Sequence, residues 1–162
     1  MRILLPALFV FFILPTVSQS QAPALLKKMQ TVRTAVIPKI DGKISDSAWK
    51  QVEPVSDFII NSPDYGKPSK LKTEVWVLYD DAAIYVAAKL TDQPGAVRKQ
   101  LTARDGEQRQ DVDYFSIFLD TYNDNQNGFQ FLVTSRNVQS DGRISPSVQS
   151  QFGPPSDYSW DA

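Results

Sequence analysis

Ile40-Asp41-Gly42-Lys43-Ile44-Ser45-Asp46-Ser47-Ala48-Trp49 is the stretch on which the fold turns. Asp41-Gly42 is turn chemistry, because glycine accepts positive φ and aspartate hydrogen-bonds its own backbone. Ser45 is placed to cap a helical turn and Asp46 suits its positive end, which would carry Ala48 and Trp49 inward. A short capped turn that buries a tryptophan, set before alternating sequence, opens a β domain.

Working outward, Arg33 to Ile40 reads as a first strand, with Pro38 placing it at an edge or near its end. Val55 to Ile60 reads as a second strand, and Asn61 to Lys70 as a Pro/Gly/Ser/Asp loop. The clearest pair follows. Thr73, Val75, Val77 and Tyr79 alternate with Glu74, Trp76 and Leu78; after Asp80-Asp81, Ile84, Val86, Ala88 and Leu90 alternate with Tyr85, Ala87 and Lys89. Two β-rich runs joined by a short acidic turn make a hairpin. Both of its faces are largely apolar, so part of it is expected to be central or covered on both sides.

Beyond the turn Asp92-Gln93-Pro94-Gly95, Ala96 to Leu101 is expected as a brief helix. Asp111 to Asp120 alternates as a strand, and Phe129, Phe131 and Val133 mark another after the polar loop Asn123 to Gly128. Val138 to Ser145 reads as a further hairpin around Asp141-Gly142, and Tyr158-Ser159-Trp160 as the onset of one more strand. Short strands with turn signals every 8 to 12 residues or so, and no long helices between them, predict an all-β antiparallel β-sandwich. Its C-terminal side is expected to be incomplete, because the last strand starts as the sequence ends.

Composition narrows the function. Arg2 followed by the apolar run Ile3 to Leu14 and small residues at Ser18, Ser20 and Ala22 is expected to be a signal peptide over 1-22. That run is too short for a spanning helix, which needs roughly 20 residues. Residues 23-32 would form a leader and 33-162 the domain, placing the protein in the periplasm, outer membrane or extracellular space. There is no cysteine, so the fold must stand on its core rather than on disulfides. There is no histidine either, which excludes a Ser-His-Asp triad and histidine-ligated zinc or haem. Net charge is -1 and the basic residues do not cluster, so no nucleic-acid or anionic-membrane partner is expected.

An ordered set of segments resembles the carbohydrate-binding module family 9-like domain of exported bacterial proteins. These are Ile40-Asp41-Gly42 through Ala48-Trp49, Thr73-Glu74-Val75 through Asp80-Asp81, Ile84-Tyr85-Val86 and Ala103-Arg104-Asp105. Asp111-Val112-Asp113, Phe118-Leu119-Asp120, Gly128-Phe129-Gln130-Phe131 and Ser159-Trp160-Asp161-Ala162 continue it. The resemblance implies a non-catalytic sandwich that binds oligo- or polysaccharide, of the kind attached to glycoside hydrolases of xylan or cellulose catabolism. It also resembles a subgroup in which the domain precedes a long C-terminal region, read as an outer-membrane β-barrel. There the domain would serve structure or assembly, with no sugar site.

Sugar sites pair flat aromatic faces with groups that satisfy hydroxyls, since an unmatched hydroxyl in a closed site is costly. The candidates are Trp76, Arg104, Asp105, Asp113 and Trp160. Trp49 reads as core, and Trp76 fits either core packing or a platform. Trp160, in a polar region, fits a platform. Arg104 would either bridge a neighbouring carboxylate or donate to a hydroxyl pair while a carboxylate orients it. The resemblance implies the second role. Hydrolysis would need two facing carboxylates, and Glu53, Glu74 and Glu107 are the only glutamates. Asp120, Asn123 and Asp124 could hold a structural Ca2+, as the resemblance implies. The run Asn123-x-Asn125-x-Asn127-Gly128 has the front spacing of a calcium loop, but Thr134 stands where a bidentate glutamate belongs. An ordinary polar hairpin loop uses the same residues.

Overall fold

A computed structural model describes residues 28–107, 110–147 and 158–162. The expected signal peptide and the start of the leader lie outside the described residues. The rest forms two three-stranded sheets. The first holds β1 (Val32–Arg33), β2 (Thr73–Tyr79) and β3 (Ile84–Leu90) in that order, and the second holds β4 (Tyr114–Leu119), β5 (Gly128–Thr134) and β6 (Gln139–Ile144). All neighbours are antiparallel except β1 on β2. The sheets face each other, with Ile84 and Val86 across a shared cavity from Phe115, Ile117, Phe131 and Val133. The all-β sandwich expected from the alternation is what forms.

The β2–β3 hairpin pairs from Thr73↔Leu90 to Tyr79↔Ile84. Asp80 closes its turn: one carboxylate oxygen accepts the amides of Ala82 at 2.7 Å and Ala83 at 2.8 Å, and the other accepts the Tyr85 hydroxyl at 2.9 Å. The two faces of this sheet are covered differently. Val75, Val77, Ile84 and Val86 share the face toward the second sheet. Trp76, Leu78, Tyr85 and Ala87 share the opposite face, where buried Ala48 and Trp49 pack on Leu78. Those two residues come from a 3₁₀ turn, Ser47–Gln51, so the opening motif serves as a plug over the outer face of the first sheet.

Several local expectations are corrected. The cap is Asp46 rather than Ser45, and it makes no side-chain cap; its carboxylate instead accepts the Lys39 amide at 2.8 Å. The strand expected over Arg33 to Ile40 shrinks to Val32–Arg33, because the Thr34 hydroxyl turns back on Val36 and draws the chain off the sheet. Val55 to Ile60 forms no strand; Val55 pairs reciprocally with Val75 of β2, and Ile59 bridges Pro68 in its own loop. Ala96 to Leu101 is not helical; Arg98 there is drawn to Asp113 instead. Tyr158-Ser159-Trp160 is not a strand.

The most consequential correction is Asp141-Gly142. It is no turn but the middle of β6, an unbroken strand paired with β5 from Gly128↔Ile144 to Val133↔Gln139. The actual β5–β6 turn lies at Ser135–Val138, where Asn137 takes the left-handed conformation (φ 58) and the Thr134 hydroxyl accepts the Val138 amide at 3.1 Å. This places Asp141 opposite Phe131, on the face turned toward the first sheet.

Candidate functional site

Burying a carboxylate among aromatic rings costs several kcal/mol unless it is paired and fully hydrogen-bonded. The Asp141 side chain is 0% exposed, so its partners matter. Arg104 forms an ion pair with its Oδ1 through Nη2. The Trp160 indole N–H donates to the same oxygen at 3.0 Å, and the Tyr158 amide donates to Oδ2 at 3.1 Å. Three segments far apart in sequence therefore meet on one carboxylate.

Arg104 is held from every side. Nη1 donates to the Gln139 side-chain oxygen at 3.1 Å, Nη2 to the Tyr158 carbonyl at 3.0 Å, and Nε lies 3.7 Å from the Asp105 carboxylate. Asp105 sits in the left-handed region (φ 59) and behaves as a one-residue extension of the sheet. Its amide donates to the Gln139 carbonyl at 3.1 Å, and its carboxylate accepts the Asp141 amide at 3.1 Å. The aromatic packing follows the same geometry. Tyr158 stands edge-on to Phe129 with centroids 5.4 Å apart, and Trp160 does so to Phe131 at 5.4 Å, the arrangement that ring quadrupoles favour.

Arg104 keeps about a third of its side chain exposed (34%), toward a shallow hollow of about 220 Å³. Thr102, Asn137 and Gln139 supply a hydroxyl and two amides there, and Leu101, 81% exposed, supplies an apolar wall. A guanidinium beside hydroxyl and amide groups offers both donors and acceptors to vicinal hydroxyls.

Of the residues expected at a site, Arg104, Asp105 and Trp160 come together around Asp141. Trp160, half-buried, lines the inter-sheet cavity rather than the hollow. Trp76 lies on the outer face of the first sheet, packed on the Ala48, Trp49 and Leu78 core. Asp113 is separate as well: Arg98 binds it through its own amide at 2.9 Å and through Nε and Nη2 at 3.1 and 3.0 Å. The Arg–carboxylate bridge at Arg104 is real: the neighbouring Asp105 takes part, but the buried partner is Asp141, which a turn at Asp141-Gly142 would not place there.

The expected calcium residues occupy the β4–β5 loop. Asp120 accepts the amides of Asp124 and Asn125, while Asp124 accepts the amides of Gln126 and Asn127 and the Asn127 side chain. Those bonds, led by the Asn127 side-chain amide, hold the Asp124 carboxyl below its ordinary value of 3.8. Among the described residues no three acidic side chains converge as a metal cluster. The donor set fits a loop closed by its own amides better than a calcium cradle.

Two facing, mainly antiparallel three-stranded sheets define a β-sandwich. The family is shown by a match of the carbohydrate family 9 binding domain-like model over residues 40–153, and the chain belongs to that family. Domains of this kind bind carbohydrate and are in general non-catalytic. Arg104, Asp105 and Asp141 fall inside the matched span, whereas Tyr158 and Trp160 follow it. No curated protein and no solved structure matches the chain.

Proposed function

We propose that the protein is an exported, non-catalytic module that binds oligo- or polysaccharide at the hollow beside Arg104. The observation that carries this is the bracing of Arg104. Asp141, Asp105 and Gln139 fix its guanidinium so that the open part of the side chain faces Thr102 and Asn137. A preorganised arginine loses little side-chain freedom when it meets a hydroxyl pair. Leu101 covers the apolar side of a pyranose, and Trp160 acts through Asp141 as a brace. The polymer context is xylan or cellulose, with the module attached to a glycoside hydrolase.

One observation favours a second reading, a structural or assembly domain preceding an outer-membrane barrel. Arg104 already has partners at all three guanidinium nitrogens within the fold. Calorimetric titration with xylo- and cello-oligosaccharides separates the two. Asn137→Gly keeps the left-handed turn while deleting an amide from the hollow, and Thr102→Ala deletes the hydroxyl; neither touches the Asp141 contacts. Saturable binding weakened by both variants supports the sugar site. A folded protein that binds no oligosaccharide supports the structural reading.

A further inference from the structure

The two edges of the first sheet are treated differently. Along β2, Val75 exchanges both backbone bonds with Val55 at 2.9 Å, Tyr79 accepts the Thr34 amide at 2.8 Å, and Val77 accepts the Thr31 hydroxyl at 2.7 Å. These bonds set the phase of the ladder. In an antiparallel pair, residues that bond outward face partners that also point outward. Thr73, Val75, Val77 and Tyr79 pair with Leu90, Ala88, Val86 and Ile84, so the amides and carbonyls of those four β3 residues point away from the sheet. Among the described residues nothing pairs with them.

This edge is only lightly protected, by a single lysine. Ile84–Leu90 contains no proline and no bulge, and its only charge is Lys89. At its ends, Ile84 and Leu90 are 58% and 53% exposed.

We propose that β3 is a dimerisation edge that pairs antiparallel with β3 of a second copy, joining the two first sheets into one. The sequence of the edge is self-complementary about Ala87. With the two-fold axis there, Val86 faces the second copy's Ala88 and Ile84 faces its Leu90, so all four outward residues find backbone partners. Tyr85 faces the second copy's Lys89, which sets the one ammonium beside an aromatic ring and never opposite its own kind. Ala87 meets Ala87 at the centre, where the smallest side chain is required. Exposed Ile84 and Leu90 cover each other at both ends. A contact of this kind is isologous and closes on itself.

Sedimentation analysis of the purified chain over about a hundredfold concentration range tests the pairing through mass action. A reversible monomer–dimer equilibrium is expected. Val86→Pro deletes one outward amide that β2 does not use, a position where an edge strand tolerates proline, and it should abolish the dimer while leaving the circular dichroism intact. Register is tested at the exposed ends. Ile84→Lys with Leu90→Lys should remove the dimer, whereas Ile84→Lys with Leu90→Glu should retain it. A monomer at every concentration, a dimer indifferent to Val86→Pro, or identical behaviour of the two charge pairs would each overturn the proposal.

Discussion

The indole nitrogen of Trp160 lies 3.0 Å from Oδ1 of Asp141, the oxygen that also receives Arg104. The tail 158–162 is thus tied to the second sheet through the Asp141 carboxylate and aromatic contacts with Phe129 and Phe131, and to Arg104 through the Tyr158 carbonyl. Asp141→Ala should lower stability by about 3 kcal/mol, the low end for breaking a buried pair, because Arg104 keeps access to water. Trp160 should become more exposed, read as a red shift in its fluorescence. Replacing both partners, Arg104→Met with Asp141→Leu, should cost less than the sum of the two single losses, because the buried ion pair is removed as a unit, although Asp105 loses its cation and Trp160 and Tyr158 lose their acceptor. Chemical denaturation of Asp141→Ala, of the double variant and of its two component singles, Arg104→Met and Asp141→Leu, measures this, and additive losses would show that the pair is not coupled.

The β2–β3 turn should give the protein a defined pH response at both ends of the scale. The amides of Ala82 and Ala83, and then the Tyr85 hydroxyl, hold the Asp80 carboxyl below its ordinary 3.8. Its contribution is therefore present above 3.8 and lost as pH falls through the lowered folded value. The bond to Asp80 also raises the Tyr85 hydroxyl above 10.0, so that contribution is full below 10.0 and lost as pH rises through the raised value. In Asp80→Asn both dependences should flatten, and in Tyr85→Phe only the alkaline one should vanish. Melting temperature against pH reads both.

Gly128 opens β5 against the end of β4. A Cβ there would sit 2.9 Å from the Leu119 carbonyl oxygen, a backbone atom with no freedom to retreat. Gly128→Ala should destabilise by roughly 1–3 kcal/mol, the usual cost of overpacking. Urea unfolding tests it, and a neutral result would mean the β4–β5 loop shifts freely.

Calcium is expected to leave the melting temperature unchanged, because Asp120 and Asp124 spend their oxygens on loop amides. Asp124→Asn should weaken that loop near neutral pH and remove its acid dependence. The wild-type contribution is present above 3.8 and lost as pH falls through the lowered folded value. A saturable rise in melting temperature with calcium, absent in Asp124→Asn, would instead show the loop opening to take the ion.

The hairpin of β2 and β3 was readable because its alternation and its Asp80 turn are local. Trp49 was readable as core for the same reason. β6 was not. Gln139, Ser140, Asp141, Gly142 and Arg143 carry no apolar alternation, and Asp-Gly by itself favours a turn. What makes that run a strand is non-local, namely the β5 ladder on one side and Asp105 on the other. Asp141 as the buried partner of Arg104 was hidden for the same reason. The short β1 escaped for a related reason: the Thr34 hydroxyl competes with the sheet for its own backbone, a contest that composition does not reveal.

Each sheet is assembled from hairpins of neighbouring strands and is also fastened by distant segments. For the first sheet one such segment leads into β1, where Thr31, just before the strand, reaches Val77 across 46 positions; for the second, one is Arg104, which reaches Asp141 across 37. Loop-closure entropy makes such contacts slow to form, so the hairpins should fold early and the two fastenings late. Unfolding should retrace the order, with hydrogen exchange fastest at the fastenings and slowest in the hairpins. A site built on Arg104 would then be among the last parts of the molecule to mature and among the first to be lost.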